Sequence, residues 1–503
     1  MSAIITEKFR QHNANQFVES FTEAAASTYY LFLGKATAFS STTTGGSDSS
    51  PPTPGDSPQE EFRAWDSMLG AKIITSSDIK FAVPRRNWAN GTIYDMYRHD
   101  YSSSNTSTSG TSNLYDSTFF FLTSDYRLYK VLDNNGGAAF SGSEPTSTSS
   151  SPFAAGGYIL KYMLSISTSD FTKYGTTDFI PVTSDSTVVS AAVDGAIESL
   201  VVTSGSGYTN GTYYAAVYGD GTSQGTSSGA IVRITVSSGS IVSFGLTAGT
   251  DTTIHAAGSG YTFGYVNLGV GYTFSNTSLS TASNIGGSGG VITVISSPDD
   301  GHGANVVTEL GAHYVMLATT LTQAEGDDFT TGNDFRSVGL VVDPTNIGSA
   351  TVASATTARQ THVVKLDTNS GIFQADEVIT ATVVVNSANF TATGKVVEFD
   401  STLKLLYYQQ ESFKGFGTDA TTGGLVAFSG AVEITGASSS ATGTTAANSE
   451  TVTLANNNTL TLTSGYATPE LQEFSGDIIY LENRKPIQRA SDQTEDIKII
   501  IEF

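Results

Sequence analysis

A six-residue turn sequence occurs twice in the middle of the chain. Residues 204–209 read SGSGYT, residues 257–262 read AGSGYT, and residues 269–273 carry a degenerate third copy. Glycine adopts positive φ at little cost, and a tyrosine can fix a turn by packing against the layer below. Each main copy follows a short stretch with isoleucine or valine, which favour strands. The repeat therefore predicts β-turn units in a small β domain and not a long solenoid.

The residue types extend this prediction to the whole chain. Charged residues almost vanish between residues 183 and 300, and they make up only 14% of all 503 residues, against about 25% in an average domain. Ser, Thr, Asn and 51 Gly fill the difference, and together with Val these types favour strands and turns. Because 23 Tyr and 27 Phe can fill real cores, we predict a mainly β fold with a minor helical part.

Charge and cysteine content exclude several kinds of protein. A formal net charge of −23 repels polyphosphate, so we expect no nucleic-acid partner. The chain has no Cys, which rules out disulfides and thiolate metal sites. No stretch approaches the ~18 consecutive apolar residues that cross a bilayer, and residues 1–10 lack the pattern of a signal peptide. We therefore expect no membrane span, and assembly in a cytoplasm.

Two helices are predicted near the start of the chain. Apolar residues recur at helical spacing between residues 14 and 25, which predicts the first helix. The second should begin at Ser57 as the N-cap, with Pro58 in the first position and Glu60 completing a capping box. Gly70 should end it, because glycine favours the residue after a helix.

Runs of β-branched and aromatic residues predict the strands. The pattern is clearest where an apolar run stops at Gly, Pro or Asn. The predicted strands are residues 29–33, 73–83, 119–122 paired with 126–132, 158–167, 378–385, 395–399, 403–408 and 497–503.

Candidates for metal binding and catalysis are weak. Residues 299–303 read DDGHG, and two carboxylates beside a histidine could bind a cation, but no further His lies at a usual ligand spacing. Asp220 before Gly221 lacks the carboxylates of a calcium loop, and residues 327–328 suit a solvated loop. Neither a nucleophile elbow nor a phosphate-binding loop is present. We predict no catalytic residue, no metal and no cofactor, and hence no enzyme.

The most specific pattern lies at the C-terminus. Residues 475–487 read SGDIIYLENRKPI, and residues 492–497 read DQTEDI. This stretch resembles the C-terminus of the baseplate wedge subunit, gene product eight, of T-even-type contractile-tailed phages. Weaker similarities to the same family occur in the same order at residues 83–88 (VPRRNW), 126–133, 157–181 and 332–344.

The resemblance carries expectations about architecture. It implies a β-sandwich body with flanking N-terminal helices, built from residues 1–182, 301–348 and 466–503. Residues 183–300 and 349–465 have no counterpart in the resemblance, so we predict them to be two inserted β domains in surface loops. The resemblance further implies a homodimer in contact with other baseplate wedge proteins.

The resemblance also implies a function. The chain should be a structural protein of the virion tail baseplate, assembled in the host cytoplasm. It should connect neighbouring wedge subunits and transmit baseplate rearrangement during infection, while the inserted domains make peripheral contacts. The alternative is a receptor-binding or glycan-cleaving protein of the tail-fibre or tailspike type, because a β-rich repeat with exposed Tyr suits carbohydrate binding.

Arg85, Arg86 and Trp88 form the first candidate partner contact. They follow Pro84 in a predicted turn. Arg can clamp a partner's carboxylate and Trp can anchor an interface. The alternative is an internal salt bridge with Trp88 in the core.

Glu482, Asn483, Arg484 and Pro486 form the second candidate partner contact. Their composition predicts a loop between the two terminal strands. Such a loop could contact another subunit, or it could be a hydrogen-bonded turn that holds the sheet in register.

Overall fold

Strands dominate the structure. The computed structural model describes residues 4–41, 44–221, 229–269, 271–275, 278–322, 328–385, 387–410, 425–428, 430–454, 457–490 and 492–503. Helices within these residues are short: α1 Glu7–Glu19, α2 Pro58–Asp66, α3 Thr168–Tyr174, α4 Ser186–Ala191 and α5 Val306–Glu309, with 3-10 turns at Ser76–Asp78 and Asn135–Gly137. The prediction of a mainly β chain is therefore confirmed.

The strands follow in chain order. The first eight are β1 Tyr29–Gly34, β2 Met68–Ile74, β3 Ile79–Pro84, β4 Phe120–Leu122, β5 Arg127–Asp133, β6 Phe153–Ala155, β7 Tyr158–Ser165 and β8 Phe179–Val182. The next eleven are β9 Ser199–Thr203, β10 Ser206–Tyr208, β11 Gly211–Gly219, β12 Ile231–Ser237, β13 Ser240–Ile241, β14 Thr253–Ala256, β15 Gly264–Val266, β16 Gly271–Ser275, β17 Ser278–Ser283, β18 Gly286–Ser288 and β19 Val291–Ile295. The others are β20 Tyr314–Thr322, β21 Asp334–Val342, β22 Thr357–Arg359, β23 His362–Ser370, β24 Val378–Val385, β25 Ala388–Asp400, β26 Leu405–Gln409, β27 Glu433–Gly436, β28 Thr442–Thr445, β29 Glu450–Thr453, β30 Thr459–Leu462, β31 Tyr466–Ala467, β32 Asp477–Gln488 and β33 Thr494–Glu502.

The chain forms two compact units, each built from separate stretches of sequence. Unit 1 contains Met1–Phe17, Ile79–Leu317 and Ile499–Phe503. Unit 2 contains Val18–Asp78 and Ala318–Lys498. The domain boundaries predicted from composition are a finer division than these units and stay a prediction.

A five-stranded sheet is built from strands of unit 2. Its order is β22-β2-β1-β21-β32, so β1 lies between two partners and all six of its residues are buried. This explains the dense apolar run at residues 29–33, because a central strand is covered on both faces. Trp65 of α2 packs in the core cluster of this sheet together with Tyr30 and Phe32.

Helix α2 begins as predicted but ends earlier. The Ser57 hydroxyl accepts a hydrogen bond from the Glu60 backbone N–H at 3.4 Å, and Pro58 opens the helix. The prediction that Gly70 ends the helix is wrong, because the helix stops at Asp66 and Gly70 lies within β2. A Cβ at Gly70 would lie 2.7 Å from the Asp328 carbonyl oxygen, so close backbone packing explains this glycine.

Helix α1 also differs from its prediction. It runs over Glu7–Glu19, which is earlier than the predicted residues 14–25. Phe21 lies beyond its end and stacks on Tyr29, with ring centroids 4.1 Å apart. An apolar residue at helical spacing can therefore serve packing outside the helix.

Two four-stranded sheets contribute side chains to one aromatic core cluster. Their orders are β33-β20-β3-β8 and β4-β5-β7-β6. The predicted pairing of residues 119–122 with 126–132 is confirmed, with Phe121 opposite Tyr129. The predicted C-terminal strand is confirmed as β33, where Ile499 is buried. The single predicted strand over 73–83 is divided by the 3-10 turn Ser76–Asp78 between β2 and β3.

Both main copies of the turn repeat have the anchoring tyrosine that the sequence predicts, although residues 206–208 of the first copy form β10. Tyr208 and Tyr261 are both buried, and their hydroxyls accept backbone N–H groups of Gly290 and Ala230, each at 3.0 Å. The glycines at positions 205, 207, 258 and 260 have φ between 60° and 76°. The degenerate third copy includes position 270, which lies outside the described residues. Residues 197–294 contribute nearly all of a separate core cluster under these turns.

The second predicted insertion contains a closed barrel. The strands follow the order β26-β25-β24-β27-β28-β23, and β26 also pairs with β23, which closes the ring. The predicted strand 378–385 coincides with β24, while the predicted 395–399 and 403–408 correspond to β25 and β26. Closure satisfies the backbone groups that an open sheet would leave at its edges.

A buried ion pair connects elements of unit 1. The Lys130 ammonium on β5 bonds to the Glu309 carboxylate at the end of α5, and the two side chains are 0% and 1% exposed. Glu309 also accepts the Gly303 backbone N–H at 2.6 Å. Because each charge depends on the other for compensation, removing one partner is costly.

We expect Glu309→Ala to lower the free energy of unfolding by about 3–5 kcal/mol, because it leaves Lys130 buried without its counter-charge. Urea unfolding measures the change. The double substitution Lys130→Met with Glu309→Leu should recover most of the loss. Asp299→Ala is the matched control, since its pair with Lys8 is 88% and 83% exposed, and it should change stability by less than about 0.5 kcal/mol. An effect of Glu309→Ala as small as the control's would contradict this account.

His302 gives the unit a pH dependence. The ring is 2% exposed and contacts Tyr97 edge-on, with centroids 4.9 Å apart. Burial, helped by the nearby charges of Lys130 and Lys161, holds the pKa of His302 well below 6.5. Below about pH 6.5 the unfolded chain therefore binds a proton that the folded chain does not, and stability falls as the pH falls.

We expect the free energy of unfolding to decrease by up to about 2 kcal/mol between pH 6.5 and 5 through His302. His302→Phe should remove this part of the pH dependence, because Phe keeps the ring contact and cannot titrate. Urea midpoints measured at several pH values provide the test, and parallel profiles for wild type and His302→Phe would exclude this role.

Candidate interaction surfaces

The Arg85–Trp88 turn is held mainly by contacts within unit 1. The Arg85 side chain donates to the Thr176 carbonyl at 2.8 Å and to the Asn87 side chain at 2.9 Å. Its guanidinium also lies 5.0 Å from the centre of the Phe171 ring. These contacts occupy the groups that could otherwise clamp a partner's carboxylate.

Arg86 and Trp88 pack against aromatic side chains of the core. The Arg86 guanidinium lies 4.3 Å from the centre of the Phe120 ring, and burial lowers its pKa to about 10. Trp88 meets the Phe140 ring edge-on at 5.8 Å. Within the described part of the chain, Arg86 Nη1 and Trp88 Nε1 are buried without a hydrogen-bond partner. The core interpretation of Trp88 thus gains support, and the partner contact of this turn stays a prediction.

The prediction of a loop at residues 482–486 is wrong. These residues lie inside β32, which pairs antiparallel with β21. Asn483 stands opposite Ser337 and accepts its hydroxyl at 2.9 Å, while its amide donates to the Pro52 carbonyl at 3.0 Å. Pro486 falls where the register shifts, and a bulge on an edge strand tolerates proline.

Strand β32 is the outer strand of its sheet. It has 12 residues, which corresponds to an edge about 40 Å long. In the part of the chain that the structure describes, its only strand partner is β21, and no other backbone hydrogen bond reaches residues 477–488. Ile479 is 47% exposed, and none of the 12 side chains is fully buried. An unpaired edge with exposed apolar side chains is a template for a further strand.

An exposed aromatic pair includes Phe474, which precedes β32 by three residues. Phe62 and Phe474 are 41% and 49% exposed and meet edge-to-face, with centroids 5.0 Å apart. Phe474 has φ of 61°, which is unusual for a bulky residue and is strained. Strained backbone is often found at functional segments. We name β32 together with Phe62 and Phe474 the edge surface.

The two sequence-predicted motifs lie in different units. Arg85, Arg86 and Trp88 belong to unit 1, whereas residues 482–486 belong to unit 2. Glu482 accepts the Tyr480 hydroxyl at 2.9 Å and lies 3.4 Å from Arg484, which is half exposed. Only the second motif therefore lies on the edge surface.

Residues 299–303, the weak metal-binding candidate, lie partly at the surface and partly in the core. Asp299 is exposed and pairs with Lys8 at 2.9 Å, while His302 is buried. Among the described residues, no group of three or more His, Asp or Glu side chains could hold a metal ion. Position 327 lies outside the described residues, and Asp328 bonds to the Thr357 hydroxyl. No helix in the described part of the chain is long and apolar enough to cross a membrane.

Comparison with protein families gives a match at the two ends of the chain. The model of the Phage-Gp8 family, described as bacteriophage T4 Gp8, matches residues 3–143 and 447–503. The match covers about two fifths of the chain, so the chain is similar to the Phage-Gp8 family at its two ends. The family is that of a phage baseplate wedge protein, and it supports a structural role in the baseplate of the virion. The comparison with curated proteins gave no match.

The family match does not cover the chain evenly. Residues 144–446 lie outside it, so the weaker similarities at 157–181 and 332–344 stay predictions. The match resumes at residue 447, before the predicted C-terminal block at 466. All of β32 lies inside the matched stretch, whereas β9 to β28 lie outside it.

Sequence reasoning missed the aromatic part of the edge surface. Phe62 lies within the helix predicted to begin at Ser57, and Phe474 precedes the C-terminal motif. The available signal was Phe474 itself, a large apolar residue two positions before Gly476. The ring of Phe474 contacts Phe62, which lies more than 400 positions earlier in the sequence.

The contrast between the two motifs can be tested by stability. We expect Trp88→Ala to cost roughly 3 kcal/mol of unfolding free energy, because it removes a ring packed against the core. Arg484→Ala, at a half-exposed side chain, should change it by less than about 0.5 kcal/mol. Urea unfolding of both variants is the measurement. Equal small effects would show that Trp88 is free to serve a partner.

Proposed function

We propose that the chain is a structural wedge subunit that connects neighbouring baseplate wedge proteins through the edge surface. The observation that carries this is the position of β32: a 12-residue open edge inside the stretch matched by the wedge family. A neighbouring protein would add a strand to β32, so that main-chain hydrogen bonds give affinity and side chains give specificity.

The chemistry of the edge favours one defined register. Residues 477–482 include the apolar side chains of Ile478, Ile479 and Leu481, while Arg484, Lys485 and Pro486 follow. Charge and proline oppose indiscriminate pairing on an edge. The first half of β32 would therefore receive the partner strand, and the second half would limit how far that strand can extend.

The same architecture suits the transmission of movement. A strand added to β32 joins a sheet whose next strands, β21 and β1, are buried, so a displacement of the partner moves a packed layer. Packed interiors resist compression and transmit strain. We further propose that the chain is a homodimer, that it is assembled in the host cytoplasm, and that it performs no catalysis.

Ile479→Lys tests the edge surface. It places a charge on the open edge and should reduce incorporation of the chain into baseplates at least tenfold, because a partner strand cannot bury the ammonium. Val384→Lys is the matched control, since Val384 is also exposed, at 64%, but lies on β24 of the barrel. Baseplates assembled with each variant are purified by sedimentation and the incorporated chain is quantified.

Normal incorporation of Ile479→Lys would refute the proposal, provided that its unfolding midpoint equals that of the wild type. Analytical ultracentrifugation of the purified chain tests the homodimer separately. If the chain is a monomer at all accessible concentrations, the homodimer proposal is wrong, while the proposed connector role is unaffected.

A further inference from the structure

A second exposed surface lies on the sheet built from residues 199–295, outside the family match. Tyr218 on β11 stands opposite Tyr265 on β15, and Tyr265 stands opposite Thr293 on β19. Directly opposed residues point to the same face of a sheet. Val291, two positions before Thr293 on β19, shares that face.

Phe263 completes the same surface. Gly264 separates it from Tyr265, and a Cβ at Gly264 would meet the core side chains of Val217 and Val294. Tyr265 therefore points away from that core, and Phe263, in the bend just before β15, is also exposed. We name Tyr218, Phe263, Tyr265 and Val291 the aromatic face.

The aromatic face is exposed to solvent. The exposed fractions are 55% for Phe263, 58% for Tyr265 and 51% for Val291. The rings of Tyr218 and Tyr265 are stacked, with centroids 5.8 Å apart and planes inclined by 30°. An apolar patch of a few hundred Å² on a protein surface is often functional.

The aromatic face is held rigidly. The Asp220 carboxylate accepts backbone N–H groups of Thr262 and Phe263 at 3.0 and 3.3 Å, which fixes the approach to β15. The opposite face of the sheet packs its own core, including Val217, Ile292 and Val294. Rings held in place before binding lose little entropy on contact.

Charge excludes nucleic acid as the occupant. Between residues 183 and 300 the chain has one basic residue, Arg233, against seven Asp and Glu. Surfaces that stack the bases of single strands combine aromatic rings with a basic groove, which is missing from this segment. An uncharged ligand with apolar and hydroxyl-bearing parts fits the local chemistry better.

Size argues against a protein as the occupant. The exposed parts of these four side chains amount to roughly 300 Å², estimated from the area of an aromatic side chain. A stable protein interface needs about 800 Å² from each partner. A sugar ring needs far less area, because the C–H groups of one of its faces pack on an aromatic ring while its hydroxyls can bond to a polar group such as Thr293.

We propose that the aromatic face binds polysaccharide of a bacterial cell surface, by stacking sugar rings on Tyr265, Tyr218 and Phe263. Repetition of the sugar unit and of the subunit in a symmetric baseplate would add many weak contacts into stable attachment. The structural role of the chain would be independent of this contact, because the aromatic face lies outside the family-matched stretches.

The test uses the purified full chain on a printed array of bacterial surface polysaccharides, with single-stranded oligo(dT) as a probe that is not a sugar. We expect binding to at least one polysaccharide and none to oligo(dT). Tyr265→Ala should weaken the polysaccharide contact at least tenfold, and Tyr265→Trp should keep it within threefold, because stacking and not the hydroxyl provides the contact.

Ile372→Ala is the matched control, since Ile372 is 60% exposed and lies outside the aromatic face, and it should leave binding unchanged. Equal unfolding midpoints establish that all variants are folded. Absence of any polysaccharide binding by the wild type, preference for oligo(dT), or unchanged binding by Tyr265→Ala would each overturn the proposal. Baseplate incorporation of Tyr265→Ala should be normal, which separates this result from the test of the edge surface.

Discussion

Main-chain hydrogen bonding at strand edges is the constraint on which this molecule depends. A chain without Cys and with few charges must obtain its stability from packed sheets, and every sheet leaves edges whose N–H and C=O groups need partners. The barrel of β23 to β28 solves this by closure, because β26 returns to β23. Strand β32 is the contrasting case, since its outer edge is open over its full length in the described residues. Fold and proposed function therefore follow from the same physical requirement.

Buried charges show a second way in which distant segments are joined. In unit 2, Arg336 on β21 is 4% exposed and donates to both carboxylate oxygens of Asp48, each at 3.0 Å. Bidentate pairing of this kind is stronger and more specific than a single contact. This ion pair holds the loop after β1 against β21, and β21 pairs with β32 along its other edge. The ion pair of Lys130 with Glu309 has the corresponding role in unit 1.

Local chemistry could be predicted from sequence wherever a short segment decides the outcome. The buried β1, the Ser57 cap and the repeated turns around Tyr208 and Tyr261 are examples, because each depends on the residues that form it. The predicted loop at 482–486 failed because charged residues and proline resemble a turn in composition, while the pairing partner β21 lies about 145 positions away. The edge surface and the aromatic face were harder to predict from sequence. Whether Tyr265 or Phe474 is exposed depends on how strands that are distant in sequence pack around it. Aromatic residues alone cannot distinguish a core position from a binding face.

The connectivity of the two predicted insertions explains how one chain can carry both surfaces. Strand β9 enters the first insertion and β19 leaves it, and the two pair side by side from Ser199 opposite Ile295 to Thr203 opposite Val291. Strands β23 and β28 have the same relation in the barrel. A segment whose ends are neighbours can be added at a loop without moving the strands that flank it. The aromatic face can thus be supported on its own core, while the sheet that ends in β32 keeps the geometry that a connector requires.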